Sequence, residues 1–250
     1  MARAFLAQTF TDSRGHTLPY RLLVPPTLTA PPPSSSQGPV PREPVPLVLL
    51  LHGAGERGDD NQAQLRNGAA ELLGSDAAAA RFPCVFVLPQ CPAGHRWVEV
   101  DWAQPSHVMP QEPSVPLGAV LELLPALAAR YPIDGRRVYV IGLSMGGFGV
   151  YDLLCRAPER FAAAVGICGG ADESRLTAAA SLPLWAFHGA RDAVVRVERS
   201  RRIVAALQKA GGAPRYTEYP EVGHDSWSRA FAEPELLPWL FSQRNPNNPP

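Results

Sequence analysis

The serine at position 144 stands between two glycines in the stretch VYVIGLSMGGFG, with an apolar, β-rich run before it and a helix-forming run after it. A chain that turns sharply from a strand into a helix crowds its own backbone, and glycines two residues either side of the serine remove the collisions. The serine then takes a strained conformation that exposes its hydroxyl. The GxSxG pattern therefore predicts that Ser144 is a nucleophile, the alternative being a glycine-rich turn that serves packing alone.

Two backbone amides are candidates to bind the negative charge that develops on a carbonyl group attacked by Ser144. The amide of Met145 lies in the first turn of the predicted helix, where unpaired N–H groups favour negative charge. A second amide is expected from the loop after the run LVLLL, where glycines let the backbone approach a ligand. We assign this amide to Ala54, with Gly55 as the alternative amide and a substrate contact. A simple tight turn is the non-catalytic alternative.

A serine hydroxyl needs a base to take its proton, and the chain contains six histidines. His224, in EVGHDSW after the last apolar run, is the candidate base because a loop that leaves the sheet there would overhang the serine. His52 and His188 each follow an apolar run as HG, where histidines more often hydrogen-bond loops than catalyse. The remaining histidines carry no matching motif: His16, His95 and His107.

The base in turn needs a carboxylate that fixes its tautomer and stabilises the imidazolium. Asp192, in LWAFHGARDAVV, follows the next-to-last apolar run and lies between Ser144 and His224 in the chain. Asp225 is the alternative acid, although its adjacency to His224 makes an approach to the Nδ1 atom awkward. Together the residues predict nucleophilic acyl transfer.

Short apolar runs alternate with helical stretches through most of the chain, and these elements must position the candidate residues. The predicted strands span 47–51, 84–88, 138–141, 162–167, 184–187 and 216–219, and the predicted helices span 62–73, 117–130, 145–156, 172–180 and 197–210. Apolar strands that alternate with helices predict a mostly parallel sheet covered on both faces, which is a three-layer α/β fold. Two earlier runs, 4–10 and 18–24, flank the turn-rich SRGH and predict an N-terminal antiparallel hairpin.

The segment 25–46, PPTLTAPPPSSSQGPVPREPVP, is rich in proline and serine. Proline lacks an amide donor and fixes φ, so this segment is expected to be a flexible surface loop without a helix or a central strand. A ligand for a proline-recognition module is the alternative. We expect residues 1–243 to form a single domain that contains this loop, and residues 244–250 to form a disordered tail.

Composition and charge disfavour several classes of protein. The chain has 23 basic residues (Lys and Arg) and 23 acidic ones (Asp and Glu), so it has no net positive charge that would attract nucleic acid. No apolar run is long enough for a signal segment or a membrane span, which predicts a cytoplasmic protein. The four cysteines lack CxxC spacing and are expected to be reduced and buried. Because neither HExxH nor GxxxxGK occurs, no metal or organic cofactor is predicted. The sequence leaves the oligomeric state open.

Five segments resemble, in order and spacing, the α/β-hydrolase superfamily: LVLLLHGAGERGDDN, VFVLPQCPAGHRW, RRVYVIGLSMGGFGVYDL, LWAFHGARDAVV and VGHDSW. The chain is most similar to the small serine esterases of this superfamily, which include predicted peptidases related to prolyl oligopeptidase and the phospholipase/carboxylesterase and dienelactone-hydrolase branches. The resemblance implies that Ser144 is the nucleophile, Asp192 the acid and His224 the base, with oxyanion amides from Met145 and Ala54. A serine at the turn disfavours dienelactone hydrolysis, which uses cysteine there, and halide displacement, which uses aspartate.

The HGAGERG segment is similar to the HGxGERG form of the peptidase-like esterases, which makes Glu56 and Arg57 candidates for shaping the pocket rim. A surface ion pair between them is the alternative. The short stretch 168–183 leaves no room for a large cap domain, so an open site is expected. The connection 89–116 would form its wall, with Trp97 and Trp102 as candidate substrate contacts or, alternatively, packing residues.

The resemblance implies a serine carboxylesterase that acts on a small-molecule ester through an acyl-enzyme. A serine peptidase or an acyl thioesterase is an alternative, because the same apparatus cleaves amides and thioesters. A non-catalytic binding protein on the same fold is an alternative from another class.

Overall fold

A computed structural model describes residues 4–29 and 43–249 of the chain. Its eight strands are β1 (Leu6–Thr11), β2 (Thr17–Leu23), β3 (Val45–Leu51), β4 (Val85–Pro89), β5 (Ile133–Leu143), β6 (Ala163–Ile167), β7 (Leu184–Gly189) and β8 (Arg215–Tyr219). They form one sheet in the order β1-β2-β4-β3-β5-β6-β7-β8. The hairpin β1–β2 joins β4 in antiparallel fashion, and the remaining strand pairs are parallel. The predicted fold class, with its N-terminal hairpin, is confirmed.

Helices cover both faces of this sheet. They are α1 (Pro26–Thr29), α2 (Ala69–Gly74), α3 (Asp76–Arg81), α4 (Val115–Arg130), α5 (Met145–Arg156), α6 (Glu173–Leu176), α7 (Glu198–Lys209), α8 (Ser226–Phe231) and α9 (Leu236–Ser242). The helix predicted over 62–73 is wrong in its first half. There Asn67 and Gly68 have φ angles of 58° and 78°, which end any helical turn before α2 begins. The helix predicted over 172–180 is reduced to α6 and a 3-10 turn, Thr177–Ala179.

Two apolar layers sandwich the sheet, because successive strand residues point to opposite faces. In β3, Leu47, Leu49 and Leu51 pack on the side of α4, α5 and α7. Val48 and Leu50 pack on the side of α2, α8 and α9. All seven residues of β3 are buried, as expected for a central strand covered on both faces. The carboxyl ends of the parallel strands therefore share one edge, where the candidate site lies.

The proline-rich segment 25–46 lies largely outside the described residues, since 30–42 are not described. Its first residues do not follow the prediction of a helix-free loop, because Pro26 begins α1 and Leu28 is buried. A proline at the first helical position loses no hydrogen bond, since the amides there have no helical partner. At its other end, the segment enters β3 at Val45.

The disordered tail expected over 244–250 is wrong for its described residues. Asn245 is buried, and its side-chain amide donates to the carbonyl groups of Glu159 and Phe161 at 2.7 and 3.2 Å. The side-chain amide of Asn248 donates to Gly135 O at 3.2 Å. These side-chain hydrogen bonds hold this part of the chain against the fold. Among the helices of the described ranges, none has both the length and the apolar character to span a bilayer.

Candidate active site

Ser144 lies where β5 passes directly into α5, with φ 52° and ψ −119°. Its amide donates to Ile167 O at 2.8 Å, which ties this turn to the neighbouring strand β6. A Cβ atom on Gly146 would stand 1.9 Å from Leu51 O, and one on Gly142 would stand 2.2 Å from Gly146 O. Both positions therefore require glycine, and the serine between them takes a strained conformation with positive φ, as the sequence pattern predicts.

The imidazole of His224 connects the serine to a carboxylate. Its Nε2 atom lies 2.8 Å from Ser144 Oγ, and its Nδ1 atom lies 2.8 Å from Asp192 Oδ2. An ionised carboxylate only accepts hydrogen bonds, so Nδ1 carries the proton and Nε2 is left to accept from the hydroxyl. The ring packs against Trp227 in a nearly perpendicular arrangement, with the two centroids 5.5 Å apart. The structure thus brings together three side chains that lie up to 80 positions apart in the chain.

Asp192 is held in its ionised form. Its side chain is fully buried, and Oδ1 accepts from the amides of Val194 and Val195 at 2.8 and 2.9 Å. Burial alone would raise the pKa of Asp192, but hydrogen bonds from His188, His224 and the Val195 amide outweigh it and hold the pKa well below its usual value. The carboxylate can therefore stabilise a positive charge on His224.

His188 supports this carboxylate from behind. It is fully buried, with Nε2 2.8 Å from Val195 O and 3.2 Å from Asp192 Oδ2, and with Nδ1 2.7 Å from Ser200 Oγ. The sequence indicated a histidine that hydrogen-bonds loops, but it did not identify the contact with Asp192. Asp225, the alternative acid, is exposed at the start of α8, and the Nδ1 atom of His224 faces Asp192 instead.

The two amides assigned to an oxyanion hole belong to the residue after Ser144 and to a loop that packs against the serine. Met145 begins α5, so its amide is among those that have no helical partner. Ala54 begins a 3-10 turn, Ala54–Glu56, directly after Gly53. A Cβ atom on Gly53 would stand 3.6 Å from the Ser144 Cβ, so the backbone preceding Ala54 packs against the serine.

His52 sets the direction of the peptide that joins Gly53 to Ala54. The His52 Nε2 atom accepts from the Cys91 amide at 2.9 Å, so Nδ1 carries the proton and donates to Gly53 O at 2.6 Å. In a trans peptide the carbonyl and the following N–H point in opposite directions. The Ala54 N–H is therefore directed away from the His52 ring.

Stability at acidic pH is expected to depend on His52. Burial lowers the pKa of His52 to about 4, so the folded protein excludes a proton that the unfolded chain binds below about pH 6.5. Stability contributed by the neutral ring is complete above about pH 6.5 and is lost as the pH falls toward 4. About 2 kcal/mol of the unfolding free energy should be lost between pH 7.5 and pH 5 through this residue.

Urea denaturation at these two pH values would measure the loss. His52→Gln should be less stable than the wild type at pH 7.5 but should lose less on acidification, because a titrating group has been removed. Replacing His95, which is part-exposed, should leave the wild-type difference intact. An undiminished pH dependence in His52→Gln would contradict the prediction.

The predicted substrate contacts have different outcomes. Trp97 is fully buried and its indole N–H donates to His52 O at 3.0 Å, so its prediction as a substrate contact is wrong. The sequence could not distinguish a packing indole from an exposed one. Trp102 is partly exposed, with the Arg96 guanidinium 4.3 Å above its ring. Gly55 is exposed in the 3-10 turn, and both it and Trp102 stay predictions.

Glu56 and Arg57 form no ion pair with each other. Glu56 is buried and accepts from Asn67 Nδ2 at 2.7 Å. Arg57 donates from Nε to Ala54 O at 2.9 Å. The alternative of a surface ion pair is therefore wrong, because both side chains brace the loop that carries Ala54.

All four cysteines are unpaired, and one lies directly behind the three polar side chains. The ligand atoms of Cys168, Asp192 and His224 lie within 4.8 Å of one another, a spacing that a metal ion could bridge. Burial raises the pKa of the Cys168 thiol to about 12, whereas metals bind the thiolate. Since Asp192 and His224 already bond each other, the arrangement fits a hydrogen-bonded relay better than a ligand set.

Comparisons with known proteins find a matching family model and several similar proteins. The sequence model of the family described as Phospholipase/Carboxylesterase matches residues 40–234. A poly(3-hydroxybutyrate) depolymerase of Ralstonia pickettii is 31% identical over 138 residues, which are 53% of this chain and 26% of that protein. A protein of Oryza sativa subsp. japonica named probable carboxylesterase is 27% identical over 203 residues, covering 71% of this chain and 80% of its own.

A solved structure, the crystal structure of a thermostable esterase, is 38% identical to this chain and superposes with a TM-score of 0.83. The similarity covers 96% of this chain and 63% of the esterase chain. The chain thus spans about a quarter of the depolymerase and less than two thirds of the esterase.

Proposed function

Because the chain belongs to the phospholipase/carboxylesterase family of the α/β-hydrolase superfamily, we propose that it is a serine hydrolase that cleaves carboxylic esters. The observation that carries the proposal is the unbroken hydrogen-bond chain from Ser144 Oγ through His224 to Asp192. A hydroxyl, a neutral imidazole and a buried carboxylate in this order can generate a nucleophile at neutral pH.

The proposed reaction has two halves that use the same residues. His224 Nε2 takes the proton of Ser144 Oγ as the oxygen attacks the ester carbonyl, and it then gives that proton to the leaving alcohol. His224 next takes a proton from a water molecule as the water attacks the acyl-enzyme, and it returns that proton to Ser144 Oγ as the acid leaves. In both halves the amides of Met145 and Ala54 hold the oxyanion, and Asp192 stabilises the imidazolium.

The substrate proposed is a small-molecule oxygen ester. Relatives named thermostable esterase and probable carboxylesterase favour an oxygen ester over an amide or a thioester. Trp102 and Gly55 remain the proposed substrate contacts. A single domain over residues 1–243, the absence of a nucleic-acid partner and a cytoplasmic location stay predictions.

A fluorophosphonate probe would test this function. The probe phosphonylates an activated serine, so it should label the wild-type protein at Ser144, and peptide mapping would locate the label. Labelling should vanish in Ser144→Ala and persist in a control, Ser228→Ala, whose serine is exposed on α8. An unlabelled, folded wild-type protein would support a non-catalytic binding protein instead. Matched oxygen ester, thioester and amide substrates with one acyl group would then rank the three activities.

A further inference from the structure

The carboxylate of Glu56 is buried just across Gly53 from the proposed nucleophile. Glu56 is 7% exposed and ends the 3-10 turn that begins at Ala54. A Cβ atom built on Gly53 would lie 3.1 Å from Glu56 Oε2 and 3.6 Å from the Ser144 Cβ. One backbone residue therefore separates this acid from the serine.

A hydrogen bond fixes this carboxylate beside Gly53. Asn67 Nδ2 donates to Oε1 at 2.7 Å, while the other oxygen, Oε2, lies against the Gly53 backbone. Burial raises the pKa of Glu56 above its usual value, although hydrogen bonding, including the bond from Asn67, opposes that shift. Burying an acid is costly unless its oxygens are bonded, so the placement of Oε2 against Gly53 points to the amide of that residue as a second donor.

Asn67 makes its contact from a strained backbone. Its φ angle of 58° lies in the left-handed region, which among residues with a side chain asparagine tolerates best. Ser144 is among the few other residues of the described ranges that share this feature. Strain of this kind persists where the surrounding structure over-determines it, often at functional sites. The conformation costs the protein stability and delivers a side-chain amide to Glu56.

We propose that Glu56 is a positioning residue for the oxyanion hole, an inference that rests on the proposed function. In this role Glu56 Oε2, which lies against Gly53, accepts from the Gly53 amide, while His52 Nδ1 donates to the Gly53 carbonyl group at 2.6 Å. With both polar groups of Gly53 fixed, the following N–H of Ala54 keeps its direction when charge develops on the substrate.

This role makes a specific kinetic prediction. The oxyanion exists only near the transition state, so loosening one of its donors should lower kcat and leave KM nearly unchanged. Losing an oxyanion donor outright typically costs about 10²–10³-fold in kcat, and misalignment should cost less. Glu56→Ala is therefore expected to lower kcat about 10- to 100-fold.

A role through charge and a role through positioning predict opposite changes in kcat when Glu56 is replaced by the neutral glutamine. A negative carboxylate near a developing oxyanion repels it, so a residue that acted by charge would be improved by Glu56→Gln. For a positioning residue, the glutamine oxygen can still accept from Gly53, and Asn67 can turn its amide to match. Glu56→Gln should therefore recover most of the kcat lost in Glu56→Ala without exceeding the wild type.

Steady-state kinetics on a p-nitrophenyl ester, normalised to the fraction of Ser144 labelled by fluorophosphonate, would measure these effects. The affinity for a trifluoromethyl ketone, which forms a tetrahedral adduct with the serine, should fall in Glu56→Ala by the same factor as kcat/KM. Glu71→Ala, which removes an exposed acid on α2, is the matched control and should behave as wild type. A wild-type kcat in Glu56→Ala, a loss expressed in KM, or a glutamine variant faster than wild type would each overturn the proposal.

Hydrogen exchange at the Gly53 amide gives a readout that does not depend on turnover. This amide should exchange slowly in the wild type and in Glu71→Ala, and at least about tenfold faster in Glu56→Ala. Rapid exchange in the wild type would overturn the anchoring role even in an active enzyme. If instead the wild type lacked Ser144-dependent turnover, the proposed function would fail. The exchange rates would then still test whether Glu56 holds the Gly53 amide.

Discussion

Replacement of Ser144 by alanine is expected to lower kcat for a short-chain p-nitrophenyl ester by about 10⁵- to 10⁶-fold, because the members of such a relay act as a unit. The hydroxyl oxygen is the atom that attacks, and without Oγ the Nε2 atom of His224 loses the hydroxyl whose proton it takes. KM should change little, since the hydroxyl contributes to bond formation rather than to binding of the ground state.

Loss of folding would not explain such an effect. Alanine in place of Ser144 keeps a side chain at φ 52°, so the backbone strain remains as in the wild type. Circular dichroism and the thermal midpoint should match those of the wild-type protein, and Ser228→Ala should retain full turnover. Turnover that survived in a pure Ser144→Ala preparation would assign the reaction to another group.

Asp192→Asn is expected to lower kcat by about 10⁴-fold while leaving the fold intact. Asparagine can present an N–H to His224 Nδ1, and this favours the tautomer whose proton sits on Nε2. That ring nitrogen could then no longer accept from Ser144. The neutral amide also removes the charge that stabilises the imidazolium, whereas the wild-type carboxylate stays ionised because hydrogen bonds lower its pKa.

Asp225→Asn is the matched control for this experiment. Asp225 adjoins His224 in sequence but is exposed, and the histidine turns its Nδ1 atom to Asp192. Its replacement should alter kcat by no more than about threefold, in keeping with surface substitutions generally. If the two variants exchanged these outcomes, the acid would be Asp225, and the hydrogen bond to Asp192 would have a structural role only.

Local sequence patterns predicted the sheet well and pointed to three side chains that the structure brings together, because each pattern has a direct physical cause. Continuous apolar runs gave the buried parallel strands, and glycines around Ser144 marked a turn where any Cβ would collide with backbone. The chain order of Ser144, Asp192 and His224 placed each residue after its own strand. The strands end at one edge of the sheet, so the three residues could meet.

Features set by side-chain direction or by distant contacts were not predictable in the same way. The prediction of a helix over 62–73 ignored the Asn-Gly pair at 67–68. This pair is a turn signal that could have revealed the interruption of the helix. The burial of Trp97 depends on the carbonyl group of His52, 45 positions earlier, which no local pattern encodes. The ordering of the chain end depends likewise on Asn245 reaching carbonyl groups more than 80 positions away.

The edge strand β8 precedes the loop that delivers His224, and it pairs only with β7 among the described strands. The hydrogen bonds of His224 close chain segments of 80 and 32 positions, and contacts of this range form slowly because each closure costs conformational entropy. During refolding from denaturant, the recovery of turnover would therefore report when β8 docks onto the sheet. Turnover should recover later than the circular dichroism signal of the helices.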